Sequence, residues 1–157
     1  MLKAVLDLAM RDRTVTSVSI VRAGLCVLIM ISGLALRGFG PGLGLPLFLV
    51  KYGGSLLWGA MVFFLVAVAA PRLSWWRIAV ISASIAIAME LFRLVHAPWL
   101  DAFRMTLAGA LLLGRIFSPW NLLAYGAGIF FGVLLDRWAI QAFARTGGDR
   151  TQQVSGA

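Results

Sequence analysis

The chain has 157 residues, of which 61% are hydrophobic and only 13% charged, and its mean hydropathy is +0.93. That length has room for one domain, and that composition excludes an ordinary soluble one. A net charge of +8 would point to nucleic acid if the basic residues were clustered, but they stand singly at the ends of apolar runs, so a membrane topology signal is read and no nucleic-acid partner is expected.

From Met1 to Thr16, Leu2, Val5, Leu6 and Leu8 or Ala9 recur at helical spacing with Lys3, Asp7, Arg11, Asp12 and Arg13 between them. This predicts a short amphipathic helix lying at the membrane interface over residues 1–16. The apolar run Ala23 to Leu36 competes as the core of a signal peptide, yet the small-residue cleavage pattern is missing before Arg37. A first span over 18–36 is expected instead, with Arg22 snorkelling to the cytoplasmic interface. Cys26 lies within that span as the one cysteine of the chain, which reads as a buried packing residue and rules out an intrachain disulfide.

The segment Gly38 to Pro46, GFGPGLGLP, is a loop by its glycines and prolines. It lacks the Gly-Lys-Ser/Thr of a phosphate cradle. A second span follows over 47–70 and stops at Pro71, with Lys51, Gly53, Gly54 and Ser55 near its start; the glycines there suit close approach of another helix. Trp75, Trp76 and Arg77 form an interfacial anchor before a third span over 78–95, whose Ala79, Ala83 and Ala86, with Ser82 and Ser84, give small-residue spacings. Glu90 and Arg93 share a face near its far end, and His96 stands just beyond as an interfacial or structural histidine. From Asp101 to Gly114 the apolar segment would be about 20 Å long as a helix, too short for a hydrocarbon core of about 30 Å, so a re-entrant or interfacial helix is expected over 101–114. Asp101 itself suits an N-cap or a ligand contact. A fourth span over 121–135 ends at Asp136, Arg137 and Trp138, and residues 139–157 read as a polar, irregular tail. The single membrane domain thus covers 17–138, in an all-α membrane protein of four transmembrane helices plus the two shorter ones.

With a cytoplasmic N-terminus and four crossings, Lys3, Arg11, Arg13, Arg22, Arg72, Arg77, Arg137, Arg145 and Arg150 are inside, against Arg37, Lys51, Arg93, Arg104 and Arg115 outside, nine to five. The positive-inside rule is obeyed and both termini are expected in the cytoplasm. A fifth crossing by the short segment would move Arg137, Arg145 and Arg150 outside, a poorer fit.

The outer side then combines those five cations with Glu90, His96, Asp101 and Asn121. At about 1.5 Å per residue, counting from Ala70, Arg77 and Asp136 puts Ser55, Glu90 and Asn121 all roughly 20 to 22 Å from the inner interface. A carboxylate at that depth costs on the order of 3 kcal/mol and needs a partner. Either Glu90 and one arginine form an internal ion pair, or Glu90, Arg93, Arg115, Asn121, Lys51, Arg104, Asp101 and Ser55 line a polar pocket that opens outward. Arginine's planar fork would suit an anionic headgroup in such a pocket.

The run LDAFRMTLAGALLLGRIFSPWNLLAYGAGI, with KYGGSLLW and MELFRL before it, resembles the domain of unknown function 2809 family of small bacterial membrane proteins. That family in turn is similar to the VanZ-like proteins, whose founding member is linked to teicoplanin resistance. The resemblance covers about Ser32 to Arg137, and its most specific part is LLLGRIFSPWNLLAY, with Gly114, Arg115, Phe117, Asn121 and Tyr125. It implies a bacterial cytoplasmic (inner) membrane location in the cell envelope and leads one to expect acidic residues where this chain has Ser55 and Asn121, and a glutamine where it has Arg93. The carboxylates that a proton relay or metal site would use are therefore fewer here, whereas Glu90, Asp101, Arg104 and Arg115 remain.

Two classes of function stay open. One is a non-enzymatic protein whose outward pocket binds an anionic lipid headgroup or lipophilic amphiphile; the other is a small intramembrane enzyme or proton-coupled carrier that uses Glu90. No Ser-His-Asp arrangement, His-Glu-x-x-His motif or carboxylate cluster is present in the sequence, which favours binding over catalysis and calls for no metal or cofactor. Membrane lipids are the expected partners, with a homo-oligomer as an open alternative.

Overall fold

A computed structural model describes residues 2–106, 109, 113 and 117–155, and the side-chain surroundings of residues 15–106, 109, 113 and 117–142. Within them the chain is helical and has no strand: α1 is Leu2–Phe39, α2 Leu47–Ala69, α3 Trp75–Phe92, α4 Pro98–Met105 and α5 Pro119–Ser155. Four stretches are long and apolar enough to cross a membrane, Val15–Phe39, Leu47–Ala69, Trp75–Phe92 and Pro119–Ala142. The four expected spans are these four helices.

The boundaries differ in informative ways. No proline interrupts the first 40 residues, and α1 runs unbroken through Ser17, so the expected interfacial helix and the first span are one rod. α3 begins three residues earlier than expected, because Trp75, Trp76 and Arg77 form its first turn rather than an anchor outside it. α5 continues to Ser155, past the expected end at Leu135 and through the segment read as an irregular tail. The short helix α4 is shifted toward the N-terminus of its expected range. Ala97 is extended, as a residue before proline tends to be, and Pro98 opens the helix where a missing N–H costs nothing. Asp101 is therefore inside the first turn and is not the N-cap. Thr106 ends the helix: it is extended, and its hydroxyl donates to the Phe103 carbonyl at 2.7 Å and accepts from the Gly109 N–H at 3.0 Å. Eight residues of helix span about 12 Å, so α4 does not cross.

α2 is the hub. It packs on α1, α3 and α5, and a larger share of it is buried than of the other three spans. Phe63, Phe64 and Ala67 of α2 form the core with Cys26 and Ile29 of α1, Ile78 of α3, and Ile129 and Val133 of α5. Cys26 is buried, as expected. Lipid tails are as apolar as these side chains, so the bundle is held by close contact and polar ties more than by a hydrophobic drive. The closest approach is between α2 and α5: a Cβ at Gly128 would run into the Leu56 carbonyl oxygen, and one at Gly59 would lie 2.8 Å from Tyr125 Cα. Gly53 and Gly54, which the sequence marked for close approach of another helix, lie against Leu36 and Arg37 of α1. The outward faces carry large apolar side chains such as Ile31, Leu65, Val80 and Phe130, as lipid-facing surfaces do.

Candidate functional site

Two polar knots stand near opposite ends of the bundle. The first is centred on Glu90, two residues before the end of α3 and completely buried. Its Oε1 accepts from the backbone N–H of Ser118 at 2.7 Å and from Asn121 Nδ2 at 3.2 Å. Its Oε2 accepts from Arg93 Nη1 at 2.7 Å and from the Tyr125 hydroxyl at 3.1 Å. Four donors thus hold one carboxylate, one of them charged, which is how a buried charge is stabilised. Asn121 is turned so that its Oδ1 accepts from the Ser55 hydroxyl at 3.3 Å, which also lies 3.2 Å from the Lys51 carbonyl. Ser55, Glu90 and Asn121, matched in depth by counting residues, do meet across α2, α3 and α5.

Arg93 is the C-cap residue of α3, and its Nε donates to the Leu113 carbonyl at 2.8 Å, which ties the segment after α4 to the knot. Arg104 is buried and points back along the chain end of α3. Its Nη2 donates to the Phe92 carbonyl at 2.8 Å and its Nη1 to the Val95 carbonyl at 2.8 Å, while the guanidinium lies 5.6 Å from the centre of the Phe92 ring. A cation placed on the carbonyls at a helix C-terminus is favourable in both hydrogen bonding and dipole sense. Asp101 accepts from Arg104 Nη1 at 3.1 Å and faces His96 Nδ1 at 3.4 Å on the exposed side.

Of the eight residues proposed from the sequence, Glu90, Arg93, Asn121 and Ser55 are joined in one network. Arg104 and Asp101 form a neighbouring pair, and Lys51 is exposed, its Nζ 5.2 Å from the centre of the Tyr52 ring. Arg115 lies outside the described residues. The sequence reading left out the Ser118 backbone N–H and the Tyr125 hydroxyl. Tyr125 could have been found, since it follows Asn121 by four on the same helical face.

The second knot was missed altogether. Arg22 is buried, so it does not snorkel to the interface as expected. Its Nε and Nη2 grip Asp136 at 2.7 and 2.8 Å, and its Nη1 donates to the Ala67 carbonyl at 3.2 Å. This fork binds α1 to α5 and α2 at once. The signal available was depth: Arg22 is seven residues into its span and Asp136 six residues from the end of its own.

Among the described residues, an apolar groove opens on the lipid-facing surface at each of two helix seams. One, of about 160 Å3, lies between α1 and α2 and is lined by Ile29, Gly33, Leu34, Leu57 and Met61, with Arg37 and Gly54 at one end. The other, of about 680 Å3, lies between α3 and α5 along Ala79, Ala83, Gly126 and Phe130, with Trp75 and Arg137 at its end. Glu90 lines neither.

The profile of the family described as "Protein of unknown function (DUF2809)" matches residues 45–129, a range from just before α2 into the first third of α5. The chain belongs to the DUF2809 family. In this DUF2809 chain the matched range includes the whole Glu90 knot and excludes both Arg22 and Asp136. No solved structure matches the chain.

Proposed function

We propose that this DUF2809 protein binds an anionic amphiphile, a lipid headgroup bearing phosphate or carboxylate, at the Glu90 end of its bundle, and that this end faces away from the cytoplasm. The supporting observation is a balance of charge. Glu90 is answered by Arg93, Asp101 by Arg104, and Asp136 by Arg22. At the Glu90 end Arg37 and Lys51 are exposed, and among the described residues no carboxylate pairs with either. Two cations beside an apolar, lipid-facing surface suit a headgroup of opposite charge. The positive-inside count supports the orientation, and the resemblance to VanZ-like proteins supports a place in the bacterial cytoplasmic membrane.

Glu90 as a proton carrier or catalytic base is the weaker reading. Four donors occupy its oxygens, and the core around Phe63, Phe64 and Ile129 separates it from the next buried acid, Asp136.

Ligand that binds only the folded state raises its melting temperature by mass action, about 2.7 kcal/mol at a hundredfold excess over Kd, or several degrees for a chain of this size. Micelles doped with phosphatidylglycerol should therefore stabilise the protein more than micelles doped with phosphatidylcholine, and the Arg37→Gln/Lys51→Gln double variant should lose the difference. Equal melting in the two lipids would contradict the proposal.

A further inference from the structure

We infer that the groove between α1 and α2 is the seat of that amphiphile, with Arg37 on the phosphate and one acyl chain along Gly33; this rests on the binding reading above and assigns it a place. The groove is made by missing side chains. Gly33 on α1 leaves Leu57 of α2 as its nearest neighbour, 3.8 Å from where a Cβ would stand. Gly54 on α2 lets the Arg37 side chain lie across the helix backbone, since a Cβ there would come within 3.0 Å of Arg37 Nε. Below the arginine the walls are Ile29, Leu34, Leu57, Trp58 and Met61. A space of about 160 Å3 is comparable with cavities that hold a benzene ring, so it takes a section of one acyl chain and not a whole lipid.

Arg37 is two residues from the end of α1, which places its guanidinium at headgroup level while the groove beneath it lies at chain level. Among the described residues it makes no hydrogen bond or ion pair. Its fork is thus open to two phosphate oxygens. The groove between α3 and α5 offers the comparison: Arg137 at its end already lies 5.5 Å from the centre of the Trp75 ring.

The test is native mass spectrometry from micelles that contain equal phosphatidylglycerol and phosphatidylcholine. The wild type should retain phosphatidylglycerol preferentially. Arg37→Gln should reduce that preference by about tenfold, the worth of one charge-assisted contact, and Gly33→Leu, which fills the groove, should do the same. Arg137→Gln should match the wild type. Melting temperatures near wild type establish that the variants are folded; Arg37 has no internal partner to lose. If Arg37→Gln and Gly33→Leu both retain phosphatidylglycerol like the wild type, the groove is the wrong place while the wider binding reading stands. No headgroup preference in the wild type would overturn both. Displacement by millimolar glycerol phosphate, with Gly33→Leu unaffected, would mean that a free phosphate site was mistaken for a lipid site, and would overturn the groove too.

Discussion

At the scale of single residues, the two buried carboxylates among the described residues, Glu90 and Asp136, are each matched with one arginine. The network around Glu90 shows why an amide at 121 and an arginine at 93 suit one another. An aspartate at 121 would set a second negative charge beside Glu90, whereas the asparagine donates to it at 3.2 Å. Arg93 then supplies the counter-charge that a glutamine could not. Removing one partner of such a pair strands the other, at a cost of about 3–5 kcal/mol. Glu90→Gln should therefore lower the unfolding temperature markedly, and Glu90→Gln/Arg93→Gln should recover part of the loss. Chemical and thermal unfolding in detergent would show this, and a double variant that simply adds the two losses would mean that the pair is not coupled.

At the scale of elements, α1 packs broadly on α2 but touches α5 only lightly, so the Arg22–Asp136 fork is the main bond between the first and last helices. Sequence reading took both residues as markers of span ends, since a lone arginine or aspartate near a boundary ordinarily reaches for water. Their pairing needed the knowledge that α1 and α5 come together, and nothing in either segment says so. The tightest helix crossing, at Gly59 and Gly128, was hidden for a similar reason: the chain has 17 glycines, and only the partner helix shows which ones need to be small. Replacing a buried ion pair with apolar residues of similar size is often neutral or stabilising. We expect Arg22→Met or Asp136→Leu alone to destabilise by about 3–5 kcal/mol and the combination to return close to wild type. If the combined variant is as unstable as either single one, the ion pair contributes something that packing cannot replace.

At the scale of the whole molecule, what was legible was the number and rough place of the spans, because length and hydropathy alone select them, and the existence of the first loop, because glycine and proline punctuate it, although α1 takes in Gly38 and Phe39 and the loop begins at Gly40. The unbroken α1 and the extent of α5 were not, since polar sequence at a helix end reads the same whether the helix frays or continues. The depth count did bring Ser55, Glu90 and Asn121 together, an example of geometry that helical rise makes readable. The side on which the knot lies is a question for labelling. In a Cys26→Ser background, His96→Cys and Pro119→Cys, both on exposed residues that flank α4 and its following segment, should react from the outside of intact cells with a membrane-impermeant thiol reagent. Labelling of one position only would mean that the intervening segment crosses the membrane; labelling of both only after lysis would reverse the orientation.

The central claim, an anionic amphiphile held at the Glu90 end, is tested most directly by an experimental structure in nanodiscs rich in phosphatidylglycerol. A phosphate should appear within about 2.7–2.9 Å of the Arg37 guanidinium, near Lys51, with a chain descending beside Gly33. Ordered lipid phosphates confined to the Arg22–Asp136 end, with Arg37 and Lys51 bare, would contradict it.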